Sequence, residues 1–521
     1  MVTANVRGNR RWLALGALVL GVLAVGLDGT VLNVALPTLA SALRASESDL
    51  QWFSSAYLLV MAAAILPAGQ LGDRYGRKKL LLTGIAIFGT GSFACAYAPS
   101  ATAFLAARAM LGIGAALMIP LTLSVLTVMF SESERPRAVG IWAGANFLSL
   151  PLGPILGGWL LSNFWWGWAF LLNVPVILIG FAVVVLLVPE SRSSKRPRLD
   201  IPGVLISSAA LVLLVYGVIK AGEQGWGSAV ALATMLAGAL GLVAFVMWER
   251  RVQQSRPEGG LVDLRLFRVP SFTWGTVLTG LGIFAMMGVL FTAPQYFQAI
   301  LGTDAMGSGL RLVPMMLGAL AGALPADRLA RRIGSKATVT LSFAIMALGF
   351  VIGATTSMAS GSGLAVLWLA VTGLGIGMGG ATAASAALSQ LDDDRAGTGS
   401  ALLQTVQKVG APFGAALLGS VLHSVYLGRL DLAGLPAAAS GVVEKSIFGG
   451  IAVAQKAGSA ALLHSVQSSF VHGMDAALLA SAGVAVVGAA LALLFLPKHA
   501  VSVESSEANE IESAHGYVVK E

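Results

Sequence analysis

Two charged side chains stand where charge is costly. Asp28 lies inside an apolar stretch from about Trp12 to Leu36, long enough to cross a bilayer as a helix. Arg108 lies inside another apolar stretch that begins near Ala103. An ionisable group at membrane depth is a candidate functional site, and a carboxylate there can take up and release a proton as a substrate comes and goes. At a helical rise of about 1.5 Å per residue, Asp28 is about 13 Å from Pro37 and Arg108 about 9 Å from Thr102. The two reach similar depths, so a shared pocket is geometrically allowed. The guanidinium favours the ionised acid and desolvation the neutral one. A proton-exchanging pair and a permanent structural ion pair both fit that balance. Asp73, Asp327 and Asp475 fall at span ends, which leaves Asp28 as the only carboxylate deep in a span. Lys408 is about 12 Å from the end of its own span and is expected to serve only an inner vestibule.

No catalytic constellation accompanies these charges. None of the five histidines is paired at metal or triad spacing. A single cysteine, Cys95, excludes an intramolecular disulfide and any multi-cysteine metal site. The chain has no Gly-Lys pair and so no phosphate-binding P-loop, which excludes ATP as its energy source. No enzyme activity, metal or cofactor is expected.

The elements that must position Asp28 and Arg108 are membrane helices. Of 521 residues, 56% are hydrophobic and 11% charged, with mean hydropathy +0.81. A soluble chain carries about 25% charge. Apolar runs recur along the whole length, so the fold class is an all-α polytopic membrane protein. Fourteen spans are expected, the first of them a retained helix rather than a cleavable signal. The net charge of +8 gathers in alternate short loops, around Arg74–Lys79, Arg135–Arg137, Arg192–Arg198, Arg250–Arg268 and Arg328–Lys336. That is the positive-inside pattern, which puts both termini in the cytoplasm and makes nucleic acid an unneeded explanation for the charge.

The sequence also echoes itself. Asp-Arg-Tyr-Gly-Arg-Lys-Lys at Asp73–Lys79 follows the second span, and Asp-Arg-Leu-Ala-Arg-Arg-Ile-Gly-Ser-Lys at Asp327–Lys336 follows the tenth. Two six-helix bundles with two inserted helices put both loops in the same relative place. The expected division is residues 1–190 for the first bundle, 191–270 for the insertion and 271–498 for the second bundle. The second bundle includes a long extracellular loop over 423–473, where Leu462, Val466 and Phe470 form an amphipathic stripe suited to lying at the membrane interface. Residues 499–521 read as a disordered cytoplasmic tail.

Around the first echo, Gly69, Asp73, Arg74, Gly76 and Arg77 suit a cytoplasmic latch. Small residues let helices approach, Gly76 permits a tight turn, and Asp73 can cap a helix and pair with Arg77. The segment Gly69–Lys79 resembles the cytoplasmic signature of the major facilitator superfamily. Leu27–Pro37 is similar to the first-span motif of its fourteen-span drug:H+ antiporter family, of the quaternary-ammonium exporter type. Arg108–Ala116 resembles the fourth-span motif, with Leu111 where glutamine is common. Gly140, Ser149, Gly153, Pro154, Gly157 and Gly158 resemble the antiporter motif of the fifth span, with Ser149 replacing a glycine. Trp166–Pro175 resembles a further hallmark, within which Asn173 is deep enough to need a hydrogen-bond partner. The resemblance covers about Trp12 to Pro497 and implies the major facilitator fold.

The resemblance also implies proton-coupled efflux of hydrophobic drugs or antibiotics by alternating access across a bacterial inner membrane. Exporters of this family that handle dications often carry further membrane acids, so neutral or monocationic cargo is expected here. An exporter or symporter of an endogenous metabolite, or a non-transporting receptor, are the alternatives. The expected partners are a small-molecule substrate, protons and the lipid bilayer, with the chain a monomer. Candidate cavity residues are the polar, aromatic or methionine side chains Asn33, Tyr57, Met118, Asn146, Gln295 and Gln404.

Overall fold

The computed structural model describes residues 10–131, 134–192, 200–255, 260–391 and 393–497. The expected tail, 499–521, lies outside the described residues. Among those described there is no strand. In chain order the helices are α1 (Arg10–Ala42), α2 (Glu47–Tyr75), α3 (Arg77–Ala96), α4 (Ala101–Met129), α5 (Arg135–Asn163), α6 (Trp168–Leu171) and α7 (Asn173–Leu187). Then follow α8 (Ile201–Gln224), α9 (Ala229–Ser255), α10 (Pro270–Ala299), α11 (Ala305–Ile333), α12 (Ser335–Gly353) and α13 (Ser362–Leu388). The last are α14 (Asp393–Arg429), α15 (Ala437–Lys445), α16 (Ile447–Ala457) and α17 (Ala460–Phe495). Among the described residues twelve helices are long and apolar enough to cross a membrane, or thirteen if bent α2 is one span. α5, with 29 residues, is not among them, so this count stops short of the fourteen expected from the sequence.

Local chemistry sets the helix ends. Ser46 and Asp49 cap α2 reciprocally: the Ser46 hydroxyl accepts from the Asp49 N–H at 3.1 Å, and the Asp49 carboxylate accepts from the Ser46 N–H at 2.8 Å. Side chains of Ser100, Asp200, Asp304 and Ser459 cap α4, α8, α11 and α17 in the simpler way. α2 bends by 49° just before Pro67, which has no N–H to donate.

The internal echo has a structural counterpart. Asp73 pairs with Arg77 at 2.8 Å and Asp327 with Arg331 at 2.6 Å, both one helical turn apart. Each motif then turns at a glycine with positive φ, Gly76 at 118° and Gly334 at 86°. The second motif has one more helical turn before its glycine.

Two hydrophobic cores result. The first is built from α1–α7, including Leu15, Phe53, Phe88, Phe104 and Phe170. The second is built from α10–α17, including Phe297, Phe343, Trp368 and Phe470. Helices α8 and α9 pack on each other, with Gly238 of α9 against Leu214 and the Ala210 carbonyl of α8. α8 leans on α2 and α14, where the Trp52 and Tyr216 rings lie 6.3 Å apart and Gly222 meets Ser420. The outer face of α9 presents Leu232, Leu236, Leu240, Val243 and Met247, the pattern of a helix with lipid on one side.

One segment differs from expectation. The structure extends α14 to Arg429 and starts α17 at Ala460, so the connection runs over 430–459 rather than 423–473. Tyr426 is buried and its hydroxyl donates to the Val443 carbonyl at 2.8 Å. Leu462, Val466 and Phe470 are an amphipathic stripe, but it faces the second core rather than the membrane surface. Burial of that stripe, together with the Ser459 cap, drives the early start of α17. α16 crosses this end, with Gly450 against Val466 and Phe448 packed against both cores.

Candidate functional site

Arg108 and Asp28 meet. α4 carries the guanidinium to α1, where Nη1 donates to Asp28 Oδ2 at 2.6 Å. Both residues are 1% exposed. Arg108 Nε donates to the Phe53 carbonyl of α2 at 3.1 Å, and its Cζ lies 4.5 Å from the Tyr57 ring centroid, a cation–π contact. Tyr57 is held in turn by its hydroxyl, which donates to the Val25 carbonyl at 3.2 Å. On the other side Asn173, the first residue of α7, donates to Asp28 Oδ1 at 3.5 Å and to Ser92 Oγ at 3.2 Å. The pair is therefore oriented by α2, α3 and α7 as well as by its own helices.

Such a pair survives at depth because each charge has a partner and further hydrogen bonds; removing one partner strands the other at high cost. Chemically it offers a carboxylate that can exchange a proton and a fixed cation that answers it.

A cavity of about 360 Å³ opens beside the pair, within the range of drug-sized sites. One wall is Val22, Gly29, Tyr57, Met61, Trp142 and Ser149 from the first bundle; the other is Met286, Met287, Gln404, Gln407 and Lys408 from α10 and α14. The Tyr57 ring stands between Arg108 and this space. A second void, of about 10 Å³, lies against Arg108, Asn33, Ser54 and Met287, and is close to the size of one water.

Among the described residues, the polar contacts between the bundles gather toward one end. At the end bearing the α1–α2, α5–α6 and α10–α11 connections, polar contacts cross the seam. Ser162 donates to Asp304 at 2.9 Å, Gln298 to the Val34 carbonyl at 3.1 Å, Gln295 to Glu47 at 3.2 Å and Ser420 to Gln51 at 3.2 Å. The Gly307 N–H and the Ser162 hydroxyl hold the Asp304 carboxyl below the usual carboxylate range. Backbones approach closely here: a Cβ on Gly158 would sit 2.7 Å from the Ala305 carbonyl, and one on Gly309 would overlap the Pro154 carbonyl. The cavity instead lies from the depth of Asp28 toward the other end, which carries the basic loops. Val22 precedes Asp28 on α1, Met61 follows Tyr57 on α2, and Gln404 and Lys408 precede Pro412 on α14.

The residues singled out in the sequence fall as follows. Tyr57, Ser149 and Gln404 line the cavity, and Asn33 lines the small void, donating to the Gly29 carbonyl at 3.3 Å. Met118 lies in the first core against Gly21, away from the cavity, and Gln295 sits in the sealed end on Glu47. Gly140 and the Asn146 side chain belong to α5 but lie outside the residues whose surroundings are described. Gly153, Gly157 and Gly158 give α5 a close-packing face: Gly153 fits against Thr30, Gly157 against Val31 and Gly158 against α11. Thr30 donates to the Ser149 carbonyl at 3.2 Å, and Pro154 presents its carbonyl to Gly309.

In the latch segment, Gly69 faces open space, Gly72 abuts Leu121 and Arg74 stacks over Tyr75 at 5.4 Å. Asp73 does not cap α3, because it lies inside α2 with its carboxylate engaged by Arg77. Glu190 takes that place, accepting the Lys78 N–H at 3.1 Å, while the Ser191 carbonyl accepts the Arg77 N–H at 2.9 Å. Neither Glu190 nor the Asn173–Asp28 link carries a sequence signal of its own. Lys408 does: Gln404, Gln407 and Lys408 recur at i, i+3 and i+4, one face of a helix.

The Major Facilitator Superfamily model matches residues 18–415. The chain belongs to the Major Facilitator Superfamily. Two relatives match it over more than nine-tenths of its length. It is 33% identical over 492 residues to the multidrug efflux pump LfrA of Mycolicibacterium smegmatis, covering 92% of this chain and 96% of that protein. It is 32% identical over 504 residues to the tetracenomycin C resistance and export protein of Streptomyces glaucescens, covering 94% and 92%. Among solved structures, a bacterial homolog of the human lysosomal transporter Spinster superposes with TM-score 0.68 at 17% identity, covering 94% of this chain and 98% of that one. A D-xylose-proton symporter superposes with TM-score 0.59 at 16% identity, over 94% and 99%. Major Facilitator Superfamily proteins are membrane transporters rather than enzymes, take small-molecule substrates and work in a lipid bilayer.

Proposed function

We propose that this transporter exports hydrophobic, drug- or antibiotic-sized molecules across the inner membrane of a bacterium in exchange for protons. The observation that carries the reading is the Asp28–Arg108 pair, buried yet separated from a drug-sized cavity only by the Tyr57 ring and small residues of α1. The positive-inside rule puts the basic end, and with it both termini, in the cytoplasm. The cavity then faces the cytoplasm and the polar seam closes the outside. The division into residues 1–190, 191–270 and 271–498 follows the two cores, and a single chain holds the complete cavity.

Asp28 is the proton-coupling acid and Arg108 its counter-charge. Gly69, Asp73, Arg74, Gly76 and Arg77 form a cytoplasmic latch. The small face of α5, with Gly140, Ser149, Gly153, Pro154, Gly157 and Gly158, seals the route against leak. Cargo binds from the cytoplasm, a proton from outside reaches Asp28, and rocking of the bundles alternates access. One pH unit supplies about 1.4 kcal/mol per proton and 100 mV about 2.3 kcal/mol per charge moved. A neutral cargo exchanged for one proton uses both. Of the neutral and monocationic cargo expected from the sequence, a neutral one suits the wall better, since Lys408, the one charged side chain among the described residues that line the cavity, is a cation.

The relatives that export or confer resistance to antibiotics favour a second reading, export of an antibiotic made by the cell itself. Uptake into inside-out vesicles with an acid lumen tests the common core of both. Concentrative movement of a hydrophobic dye that collapses with a protonophore is expected, and movement indifferent to the protonophore overturns proton coupling. Counterflow of labelled drug against labelled metabolite separates the two.

A further inference from the structure

The cavity wall carries a charge that neither the proton pair nor the seal uses. Lys408, Gln404 and Gln407 face the cavity together from α14. Lys408 makes no ion pair and no hydrogen bond among the described residues, and no carboxylate is among the residues that line the cavity. Arg108, on the far side of the Tyr57 ring, is answered by Asp28. The space therefore presents one unanswered positive charge to its contents. The rest of the lining is mostly apolar, with Met286 and Met287 beside Lys408 and Val22, Met61 and Trp142 on the wall of the first bundle. Walls of low polarity focus the field of a charge instead of screening it. A cationic guest would meet like charge with nothing to offset it, whereas an anionic guest would supply the missing partner.

We propose that the cargo is an amphipathic anion: an apolar, ring-containing body against Met286, Met287 and Trp142, and a carboxylate, sulfonate or phenolate paired with the Lys408 ammonium. Gln404 and Gln407 donate amide hydrogen bonds to the same group. Thioether and aromatic walls accept flat bodies of varied outline, so the anionic group fixes orientation. The inference rests on the export reading of this cavity and replaces the neutral cargo favoured there with an ionised acid. It also changes the energetics. One proton inward against one monoanion outward moves two charges in the direction favoured by an inside-negative potential, where a monocation would move none.

The test uses the full chain in inside-out proteoliposomes energised by a fixed pH gradient. Three probes are followed: anionic 1-anilinonaphthalene-8-sulfonate, cationic ethidium and neutral Nile red. The readout is the ratio of initial rates, anion to cation. The wild type is expected to favour the anion by about tenfold or more, the size of one charge-assisted contact. Lys408→Gln is expected to bring the ratio near one and Lys408→Glu to invert it, while Lys408→Arg keeps the anion preference. A wild-type ratio at or below one overturns the inference, as does a ratio unmoved by Lys408→Gln, and the wild-type value stands even if a variant fails to fold. Movement of none of the three probes overturns the export reading itself, a different result from movement with the opposite charge preference.

Discussion

Arg108 Nη1 stands 2.6 Å from Asp28 Oδ2, and the two side chains answer each other with both residues buried. Arg108→Ala strands the carboxylate and is expected to cost about 3–5 kcal/mol of stability. The double variant Asp28→Asn with Arg108→Ala removes both charges and should recover part of that loss. Thermal unfolding in detergent measures both; equal stability of the single and double variants would show that the two charges are not coupled.

Tyr57 separates Arg108 from the cavity by its ring, not its hydroxyl. Tyr57→Phe keeps the ring and loses only the bond to the Val25 carbonyl, so it should cost about 1 kcal/mol and retain transport. Tyr57→Ala opens the cavity to the guanidinium and should lower the transport rate far more than Phe does. Initial rates for the two variants decide it, and equal losses would place the role in the hydroxyl.

At the sealed end, α5 and α11 approach through glycine. A Cβ on Gly309 would overlap the Pro154 carbonyl. Gly309→Ala must push the helices apart at a cost of about 1–3 kcal/mol, which moves the closed population by about fivefold or more. A cysteine introduced by Ser420→Cys reports this: protected from an impermeant thiol reagent in the otherwise unaltered chain, labelled from outside in the Gly309→Ala background. Continued protection with full transport would mean that the seam tolerates the extra methyl.

Gly76 turns the chain between α2 and α3 with φ of 118°, and a Cβ there would lie 2.7 Å from the Glu190 carboxylate. Gly76→Ala is expected to destabilise by about 1–3 kcal/mol through backbone strain. Glu190→Ala alone should not relieve that strain. If the double variant regains the lost unfolding temperature, the cost lies in the contact and not in the backbone.

Much of this was legible in the chain, for physical reasons. Asp28 and Arg108 announce themselves because charge in an apolar run is rare, and helical rise puts them at one depth. Gly153, Gly157 and Gly158 read as a packing face because small residues at helical spacing permit close approach. Partners distant in sequence were not legible: Asn173 was seen to need a hydrogen-bond partner, but nothing in the chain names Asp28 and Ser92. Glu190 reaches α3 from the far side of four helices. Lys408 was placed by depth alone as a vestibule residue, and its lack of an acid partner emerges only from the fold. The stripe Leu462, Val466 and Phe470 had the right periodicity and the wrong assignment, because an amphipathic face does not say whether lipid or protein covers it.

The central claim is that Asp28 carries the coupling proton. The direct measurement is dye uptake into inside-out vesicles across a range of imposed pH gradients, acid inside, comparing wild type with Asp28→Asn, with counterflow at zero gradient as the control for folding and binding. Wild-type flux should rise with the gradient, while Asp28→Asn should keep counterflow and lose the dependence on pH. A gradient dependence in Asp28→Asn equal to that of the wild type would contradict the claim and return the Asp28–Arg108 pair to a structural role.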